Sequence, residues 1–402
     1  MSDKTQFEKK NYLIVFFYII KEKINGGVFM NGLKKTHKFK IGLDVDDVLL
    51  PCIEQAIEWA NRDYSFNPPI TMNEIKNWNP CGSRSDVIFE YFKEEEFFRS
   101  QKPFPGARYF VKKLSRIAEV FIITAIAPEF TDIRAEKIRE FFPDVPRENF
   151  IPISRKDVID LDFIFDDGAH NILASNVKYP VLRRRPWNQE MTGILAANSY
   201  EEFLNLVECI QNTYVEESMD FKKPTILALV GPSGSGKSAI ASELLKCDKF
   251  EAPISVTTRP KRLVDEENRY EHVSEEEFLE SLNNGDFAET TVYAGHHYGT
   301  KTSSFNDILR RGKHCVIPID ISGAMTLRMQ YRTCIIYIKR NRKDVINTLL
   351  KRLVENPTSI DDITRRIVSI DDEKKNENLS DFILDNNRNI DDAVYDILKA
   401  TT

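Results

Sequence analysis

Residues 225–238 read TILALVGPSGSGKS, so that an apolar run passes directly into a loop of glycines and small polar residues. The run is typical of a buried parallel strand, and residues 239–245 after it are typical of a helix. The loop matches G-x-x-x-x-G-K-S in its proper context. Its glycines allow successive backbone N–H groups to surround a phosphate at a helix N-terminus. The stretch therefore predicts an α/β domain with a nucleotide site.

A second apolar strand passes into a very different turn in the N-terminal half, where residues 39–48 read FKIGLDVDDV. Asp44 and Asp46 follow that strand, and Asp166-Asp167 follow another short apolar strand at 163–165. Because the carboxyl ends of parallel strands meet at one sheet edge, these carboxylates are expected to converge. Converging carboxylates repel one another unless a cation neutralises them, and an all-oxygen set suits Mg²⁺.

Length and composition place the two motifs in separate domains of an α/β protein. The chain has 402 residues and a net charge of −6, and residues 212–224 form a polar stretch before the second motif. That length predicts two cores, each a mainly parallel sheet flanked by helices. The expected domains are 39–215 and 224–402, with a linker at 216–223. Residues 1–38 are expected to be a disordered leader, or residues 1–29 are expected to be an over-extended start with translation beginning at Met30.

Two further features bear on the compartment. The chain has 6 cysteines, with no C-x-x-C pair, and this pattern favours reduced thiols over a disulfide framework or a zinc site. The apolar run at 12–20 is too short to cross a bilayer, which needs about 20 residues. We therefore expect a cytoplasmic protein with no membrane partner.

The acidic motif and three later segments together resemble the haloacid dehalogenase-like phosphatases, most closely the 5′(3′)-deoxyribonucleotidases. The segments are Asp44–Val48, Phe121–Thr124, Lys156 and Phe163–Asp167. The resemblance implies a HAD-like Rossmannoid domain with a small helical cap at about 51–100, and Mg²⁺-dependent hydrolysis of (deoxy)nucleoside monophosphates through an aspartyl-phosphate. It implies that Asp44 is the nucleophile and Asp46 the general acid and base. The remaining implied roles are phosphoryl binding by Thr124 and Lys156 and metal binding by Asp44, Asp46, Asp166 and Asp167.

Two details of this half are left open by the sequence. Asp47 stands where the family usually has Gly, and its charge would either slow turnover or help to hold the metal. Many aromatic residues lie in the cap region, and most of them are expected to build its core. Trp78 is the one proposed as a contact for a nucleobase.

The second motif and the segments after it resemble the guanylate kinase family, which implies a P-loop kinase fold that transfers phosphate from ATP to (d)GMP. The supporting segments are S-x-T-T-R from Ser255, F-A-E ending at Glu289 and Y-G-T ending at Thr300. The residues implied to bind ATP are Gly231, Ser233, Gly234, Ser235, Gly236, Lys237 and Ser238, with Ser238 also on Mg²⁺. Those implied to bind the acceptor nucleotide are Arg259, Arg262, Tyr270 and Tyr298 at its phosphate and Ser255, Glu289 and Thr300 at its guanine. Lys237 and Arg366 are implied to act on the transferring phosphoryl group.

Departures from the family pattern keep alternatives open. Pro318 stands at the position of an expected carboxylate, and Asn356 at that of a lid arginine. The leading prediction is a bifunctional enzyme of nucleotide metabolism, with small-molecule nucleotides as partners. One alternative is a polynucleotide kinase-phosphatase, for which the basic cluster Arg183-Arg184-Arg185 would have to line a channel; the acidic total argues against a nucleic-acid partner. Another is a non-catalytic kinase-like domain fused to an active phosphatase. A homodimer is compatible with the sequence.

Overall fold

The computed structural model describes residues 38–75, 82–189, 191–213, 221, 223–261, 270–293, 296–355 and 360–401. Several sequence-based predictions lie outside these residues. They concern the leader up to residue 37, most of the linker, Trp78, Arg262 and Asn356.

The N-terminal half is built around a parallel sheet of six strands in the order β3-β2-β1-β4-β5-β6. Its strands are β1 Lys40–Leu43, β2 Glu119–Thr124, β3 Phe150–Pro152, β4 Phe163–Asp166, β5 Tyr179–Arg183 and β6 Ala196–Ala197. Its α-helices are α1 Ile53–Tyr64, α2 Glu95–Ser100, α3 Ala107–Ile117, α4 Thr131–Phe141, α5 Ala169–Ala174 and α6 Tyr200–Thr213. Short 3-10 helices are Met72–Glu74, Arg84–Lys93, Pro128–Phe130, Arg147–Asn149, Lys156–Val158 and Pro186–Asn188.

The C-terminal half contains a five-stranded parallel sheet in the order β15-β14-β7-β13-β8 and a four-stranded mixed sheet in the order β10-β9-β12-β11. The strands are β7 Ile226–Val230, β8 Phe250–Glu251, β9 Ser255–Thr257, β10 Tyr270–His272, β11 Phe287–Tyr293, β12 His296–Lys301, β13 His314–Pro318, β14 Thr333–Lys339 and β15 Phe382–Asp385. The helices are α7 Lys237–Leu244, α8 Glu275–Asn283, α9 Thr302–Arg310, α10 Ile321–Gln330, α11 Arg342–Glu355, α12 Ile360–Glu373, α13 Ile390–Thr401 and the 3-10 helix Lys374–Leu379.

The predicted α/β class with two mainly parallel sheets is confirmed. β7 is buried at every position, which explains why its sequence is a continuous apolar run without alternation. The mixed sheet is an addition that the sequence analysis did not predict. Its strands carry polar residues on short segments, so their hydrophobic pattern is weak.

The segment between β1 and β2 forms the small helical unit expected as a cap. Its aromatic side chains mostly pack on one another: the ring of Trp59 lies 5.4 Å from that of Phe97, and Phe97 lies 5.5 Å from Phe98. These rings belong to a hydrophobic cluster that also holds Tyr91 and Phe130. Most of the aromatic residues that the structure describes in the cap therefore build its core.

The two halves share a packed and hydrogen-bonded boundary. One hydrophobic cluster contains residues of both halves, including Leu195 and Met325. Lys375 donates to the carbonyl oxygens of Leu173 at 2.9 Å and Ser175 at 2.8 Å, at the C-terminal end of α5. Asn376 donates to the carbonyl oxygen of Gly193 at 2.7 Å. Across the part of the chain that the structure describes, no helix is long and apolar enough to cross a membrane.

Candidate active sites

Three carboxylates converge at the carboxyl edge of the first sheet. β1 and β4 are parallel neighbours, and the backbone N–H of Asp44 donates to the carbonyl of Phe165 at 3.0 Å. The residue after β1 therefore lies beside the end of β4. Asp44, Asp166 and Asp167 are all buried, and one oxygen of each lies within 4.8 Å of the others. The convergence expected from the sequence is present for Asp44, Asp166 and Asp167.

Lys156 partly neutralises these three residues, called here the acidic trio. Its Nζ lies 2.7 Å from Asp44 Oδ1 and 2.6 Å from Asp166 Oδ2. Burial opposes the charge of Lys156, but Asp166 and Asp44 together raise its pKa. Three carboxylates and one ammonium leave two negative charges, and all the donor atoms of the trio are oxygens. The site therefore fits one divalent cation of the Mg²⁺ type.

Burial is the largest influence on the pKa of Asp44. It raises the pKa of Asp44 well above its usual range, with further increases from Asp166 and Asp167 and an opposing effect of Lys156. An added positive charge would therefore stabilise the ionised form of Asp44, because a buried carboxylate needs a compensating charge.

Thr124 ends β2, next to β1 in the sheet, and its side chain is fully buried. Its hydroxyl oxygen has no hydrogen-bond partner among the described residues. A buried hydroxyl without a partner is uncommon, and a catalytic or ligand-binding role is one explanation for it. Thr124 is placed as expected for a group that binds a phosphoryl oxygen.

The side chain of Asp46 does not join the acidic trio, and its role as a metal ligand stays a prediction. Its Oδ1 accepts a hydrogen bond from Arg134 NH2 at 2.7 Å. Arg134 on α4 holds the carboxylate of Asp46 at this position. The sequence analysis missed Arg134, because an arginine in a helix full of charged residues carries no signal of its own.

The hydrogen bonds and ion pair of Asp47 bear on the role that the sequence left open. It is fully buried at a backbone φ of 55°, a conformation that explains why Gly suits this position. Its carboxylate accepts from the backbone N–H groups of Cys52 at 3.2 Å and Ile53 at 3.1 Å, and lies 3.4 Å from Arg185. Burial raises its pKa to about 7, while Arg185 acts in the opposite direction. Asp47 therefore anchors the start of α1 and stands apart from the trio.

The basic cluster Arg183-Arg184-Arg185 is directed into the protein. Arg183 lies over the ring of Tyr200 and donates to the carbonyl of Asn198. Arg184 donates to the carbonyl of Asn188 at 2.9 Å. These contacts use the cluster inside the fold and argue against a channel for a nucleic-acid strand.

Trp187 connects the acidic trio to the cap. Its indole Nε1 donates to Asp167 Oδ2 at 3.0 Å, and its ring packs against the cap cluster. The next residue, Asn188, donates to the backbone carbonyl of Asp167 at 3.0 Å. The sequence analysis did not assign either residue to the site.

The phosphate loop lies between β7 and α7 as its sequence predicts. Gly231, Gly234 and Gly236 have positive φ angles, which glycine adopts without strain. Lys237 Nζ donates to the carbonyl oxygens of Gly231 and of Pro232, the latter at 3.0 Å. Ser235 Oγ is buried without a partner among the described atoms, and Ser238 is exposed on the first turn of α7.

Two arginines from distant parts of the sequence contact this loop. Arg366 NH1 on α12 donates to Ser233 Oγ at 3.0 Å, so the predicted cation does lie at the loop. Arg340 NH1 donates to the carbonyl oxygen of Gly234 at 3.1 Å and was not predicted. The loop is therefore surrounded by positive charge.

The mixed sheet aligns the three residues predicted to contact guanine. Thr300 pairs with Glu289 on one side and with Ser255 on the other. Thr300 Oγ1 donates to Glu289 Oε1 at 2.7 Å and lies 3.2 Å from Ser255 Oγ. Burial raises the pKa of Glu289 to about 7, partly offset by the hydrogen bond from Thr300. The three side chains thus form a connected polar row.

The other described acceptor residues also come together. The guanidinium of Arg259 lies 5.7 Å from the ring centroid of Tyr270, and the ring of Tyr270 lies 6.3 Å from that of Tyr298. Arg259 is only 8% exposed. This group could accept a phosphate beside the polar row.

A parallel sheet with an acidic trio and a second parallel sheet with a phosphate loop define a protein of two phosphate-handling α/β domains. The family model "Guanylate kinase" matches residues 222–401. The family model "5' nucleotidase, deoxy (Pyrimidine), cytosolic type C protein" matches residues 38–212. The resemblances stated from the sequence are confirmed in both halves, and a transferase and a hydrolase family are both present.

Curated relatives agree with the C-terminal match. The guanylate kinase of Thermotoga maritima is 36% identical over 142 residues, covering 34% of this chain and 69% of the relative. That of Lactobacillus acidophilus is 35% identical over 146 residues, covering 36% and 71%. The chain belongs to the guanylate kinase family.

Solved structures similar to each half are also known. A guanylate kinase from Anaplasma phagocytophilum has a TM-score of 0.35 and 24% identity, covering 46% of this chain and 88% of that one. A haloacid dehalogenase-like hydrolase from Streptococcus pneumoniae has a TM-score of 0.30 and 14% identity, covering 42% and 98%.

Proposed function

We propose that this bifunctional enzyme of nucleotide metabolism hydrolyses (deoxy)nucleoside monophosphates in its N-terminal half and phosphorylates (d)GMP with ATP in its C-terminal half. The observation that carries the proposal is the presence of two sites of opposite charge in one chain. One is the acidic trio with Lys156 and the orphaned hydroxyl of Thr124. The other is a phosphate loop contacted by Arg340 and Arg366.

In the first site Asp44 is the proposed nucleophile. An oxygen of Asp44 forms a bond to phosphorus while the bond to the 5′ oxygen breaks, and Asp46 donates a proton to that leaving oxygen. Asp46 then takes a proton from water, whose oxygen attacks phosphorus and releases Asp44. Thr124 and Lys156 bind the phosphoryl oxygens during both steps. Mg²⁺ held by the acidic trio would neutralise the charge of the phosphate.

In the second site the loop and its cations bind ATP. Lys237 would exchange its contacts to loop carbonyls for the terminal phosphates, and Arg366 would lie beside the group in transfer. The carboxylate of Glu289 would accept hydrogen bonds from guanine N1–H and N2–H, which adenine does not offer. Arg259, Tyr270 and Tyr298 would bind the acceptor phosphate, and Mg²⁺ would accompany the nucleotide at Ser238.

If the kinase and the phosphatase acted on the same nucleotide, their combined reactions would only consume ATP. We therefore infer that the two sites prefer different bases, so that together they change the composition of a nucleotide pool. The kinase selects guanine through Glu289, and the phosphatase acts on another base.

The test uses the full chain and a panel of nucleoside monophosphates. Asp44→Asn is expected to abolish phosphate release and to retain ADP formation from ATP and GMP. Lys237→Ala is expected to show the reverse, and the wild-type protein gives both reactions. If each variant lost both activities, or if both sites preferred the same base, the proposal would be refuted.

A further inference from the structure

Arg134 is a deeply buried cation at the edge of the first site. Its side chain is 1% exposed, and its NH2 group lies 2.7 Å from Asp46 Oδ1. Its guanidinium lies 5.3 Å from the ring centroid of Phe98, which belongs to the cap. Its Nε and NH1 atoms are buried without a hydrogen-bond partner among the described residues.

Fold stability does not account for this arrangement. A buried guanidinium with two unpaired nitrogens is costly, because those N–H groups have lost water and gained no acceptor. Replacement of both partners of a buried ion pair by apolar residues is often neutral or stabilising, so such a pair is weak evidence for a role in stability. A residue kept at a cost to stability is a candidate for a role in function.

The position of Asp46 supplies that role. Lys156 and any metal held by the acidic trio attract carboxylates, and Asp46 is only two residues from Asp44. Arg134 competes with those cations for Asp46 and contacts it through one oxygen, Oδ1. The side chain of Asp46 remains 18% exposed, so its carboxylate stays accessible for a proton transfer.

We propose that Arg134 is a positioning residue that holds Asp46 beside the leaving oxygen and away from the acidic trio. The inference rests on the phosphatase activity proposed above. Since Arg134 also lies on Phe98, it fixes Asp46 relative to the cap as well as to the sheet. It acts through Asp46 and does not itself touch phosphorus.

The test compares two leaving groups in Arg134→Met, with Arg134→Lys as the conservative variant and Asp46→Asn as the reference for full loss. A nucleoside monophosphate leaves as an alkoxide and needs the proton of Asp46, whereas p-nitrophenolate leaves without one. In Arg134→Met the single-turnover rate with the nucleotide is expected to fall by about 100-fold. With p-nitrophenyl phosphate the first step is expected to stay close to that of the wild type.

The second chemical step gives an independent readout. Breakdown of the aspartyl-phosphate needs Asp46 as a base, so Arg134→Met is expected to release a burst of nearly one p-nitrophenolate per protein and then turn over slowly. Arg134→Lys is expected to regain much of the nucleotide rate. Arg134→Met leaves the carboxylate of Asp46 without its partner, so its thermal midpoint is expected to be lower than that of the wild type. If that variant unfolds, Arg134→Gln provides the same comparison.

Equal losses in the first step with both substrates would overturn the inference, because a general disturbance of the site does not depend on the leaving group. A Lys variant no better than the Met variant would overturn it too. A wild-type protein that hydrolyses neither substrate would instead refute the proposed phosphatase function.

Discussion

Glu289→Gln tests the guanine site most sharply. In the wild-type protein Glu289 Oε1 already accepts a hydrogen bond from Thr300, so the carboxylate is held in one orientation. Gln keeps one oxygen as an acceptor, but its NH₂ group would face a donor of guanine. The substitution therefore removes one charge-assisted hydrogen bond and places two donors against each other. Hydrogen bonds to charged groups contribute about 1.5–3 kcal/mol, so we expect a loss of about 2–4 kcal/mol. This corresponds to a kcat/KM for GMP lower by roughly 30- to 1000-fold.

The pH dependence follows from the same residue. Burial raises the pKa of Glu289 to about 7, and only the ionised carboxylate accepts two hydrogen bonds from guanine. The kcat/KM for GMP is therefore expected to fall as pH decreases through about 7 and to level off above it. The variant lacks this titration. The phosphate of the substrate also ionises near pH 6, so Glu280→Gln, an exposed carboxylate on α8, is the matched control.

A measurement of stability distinguishes a loss of guanine binding from unfolding of the Glu289→Gln variant. The pKa of Glu289 is about 7 in the folded protein against an ordinary value of 4.5, so the folded state binds the proton more tightly. The ionised carboxylate therefore opposes folding above pH 7, by roughly 3 kcal/mol at most, and this cost is relieved as pH falls. Apo Glu289→Gln is expected to be at least as stable as the wild type at pH 8 by thermal unfolding. A variant of normal stability with an unchanged kcat/KM for GMP would refute the assignment.

Two further predictions concern the boundary between the halves. Gly193→Ala is expected to lower the free energy of unfolding by at least about 1–2 kcal/mol, because φ is +77° and a Cβ would lie 2.5 Å from Glu373 Cδ. Gly312 has the same φ but no atom within 4 Å of such a Cβ, so Gly312→Ala is the control. If both variants lost equal stability in chemical denaturation, the contact with Glu373 would be excluded as a cause. Lys375→Met removes the donor to the carbonyl oxygens of Leu173 and Ser175. It is expected to lower the free energy of unfolding by about 1–3 kcal/mol and to speed amide exchange in α5. Lys374 is exposed, so Lys374→Met is expected to change neither, and similar exchange rates in the two variants would contradict the prediction.

Sequence reasoning reached the parallel sheets and the carboxyl edge of the first one because these features are local. A strand, a turn and the residues just after it are adjacent in the chain, so Asp44 and Asp166 could be placed from their position after β1 and β4. The same logic placed the phosphate loop. The polar row of Ser255, Glu289 and Thr300 came from the family resemblance, and the register of the mixed sheet gives its physical basis.

Pairings between distant helices and loops could not be predicted in this way. Arg134 and Asp46 are 88 residues apart, and nothing in the hydrophobic pattern of α4 indicates that one of its arginines faces inward. Lys375 lies 202 residues from Leu173 and contacts it across the boundary between halves. Such contacts depend on how finished elements pack, a level at which charge patterns along the sequence carry little information.

The local charges explain how one chain can treat the same class of ligand in two ways. The acidic trio with Lys156 keeps an excess of negative charge, so a phosphate dianion is repelled there until a divalent cation binds. At the phosphate loop Lys237, Arg340 and Arg366 supply the positive charge directly. We therefore propose that affinity for phosphate depends on a divalent cation in the first half and on the side chains of the protein in the second. Because the two sites have opposite local charges, the net charge of −6 describes neither.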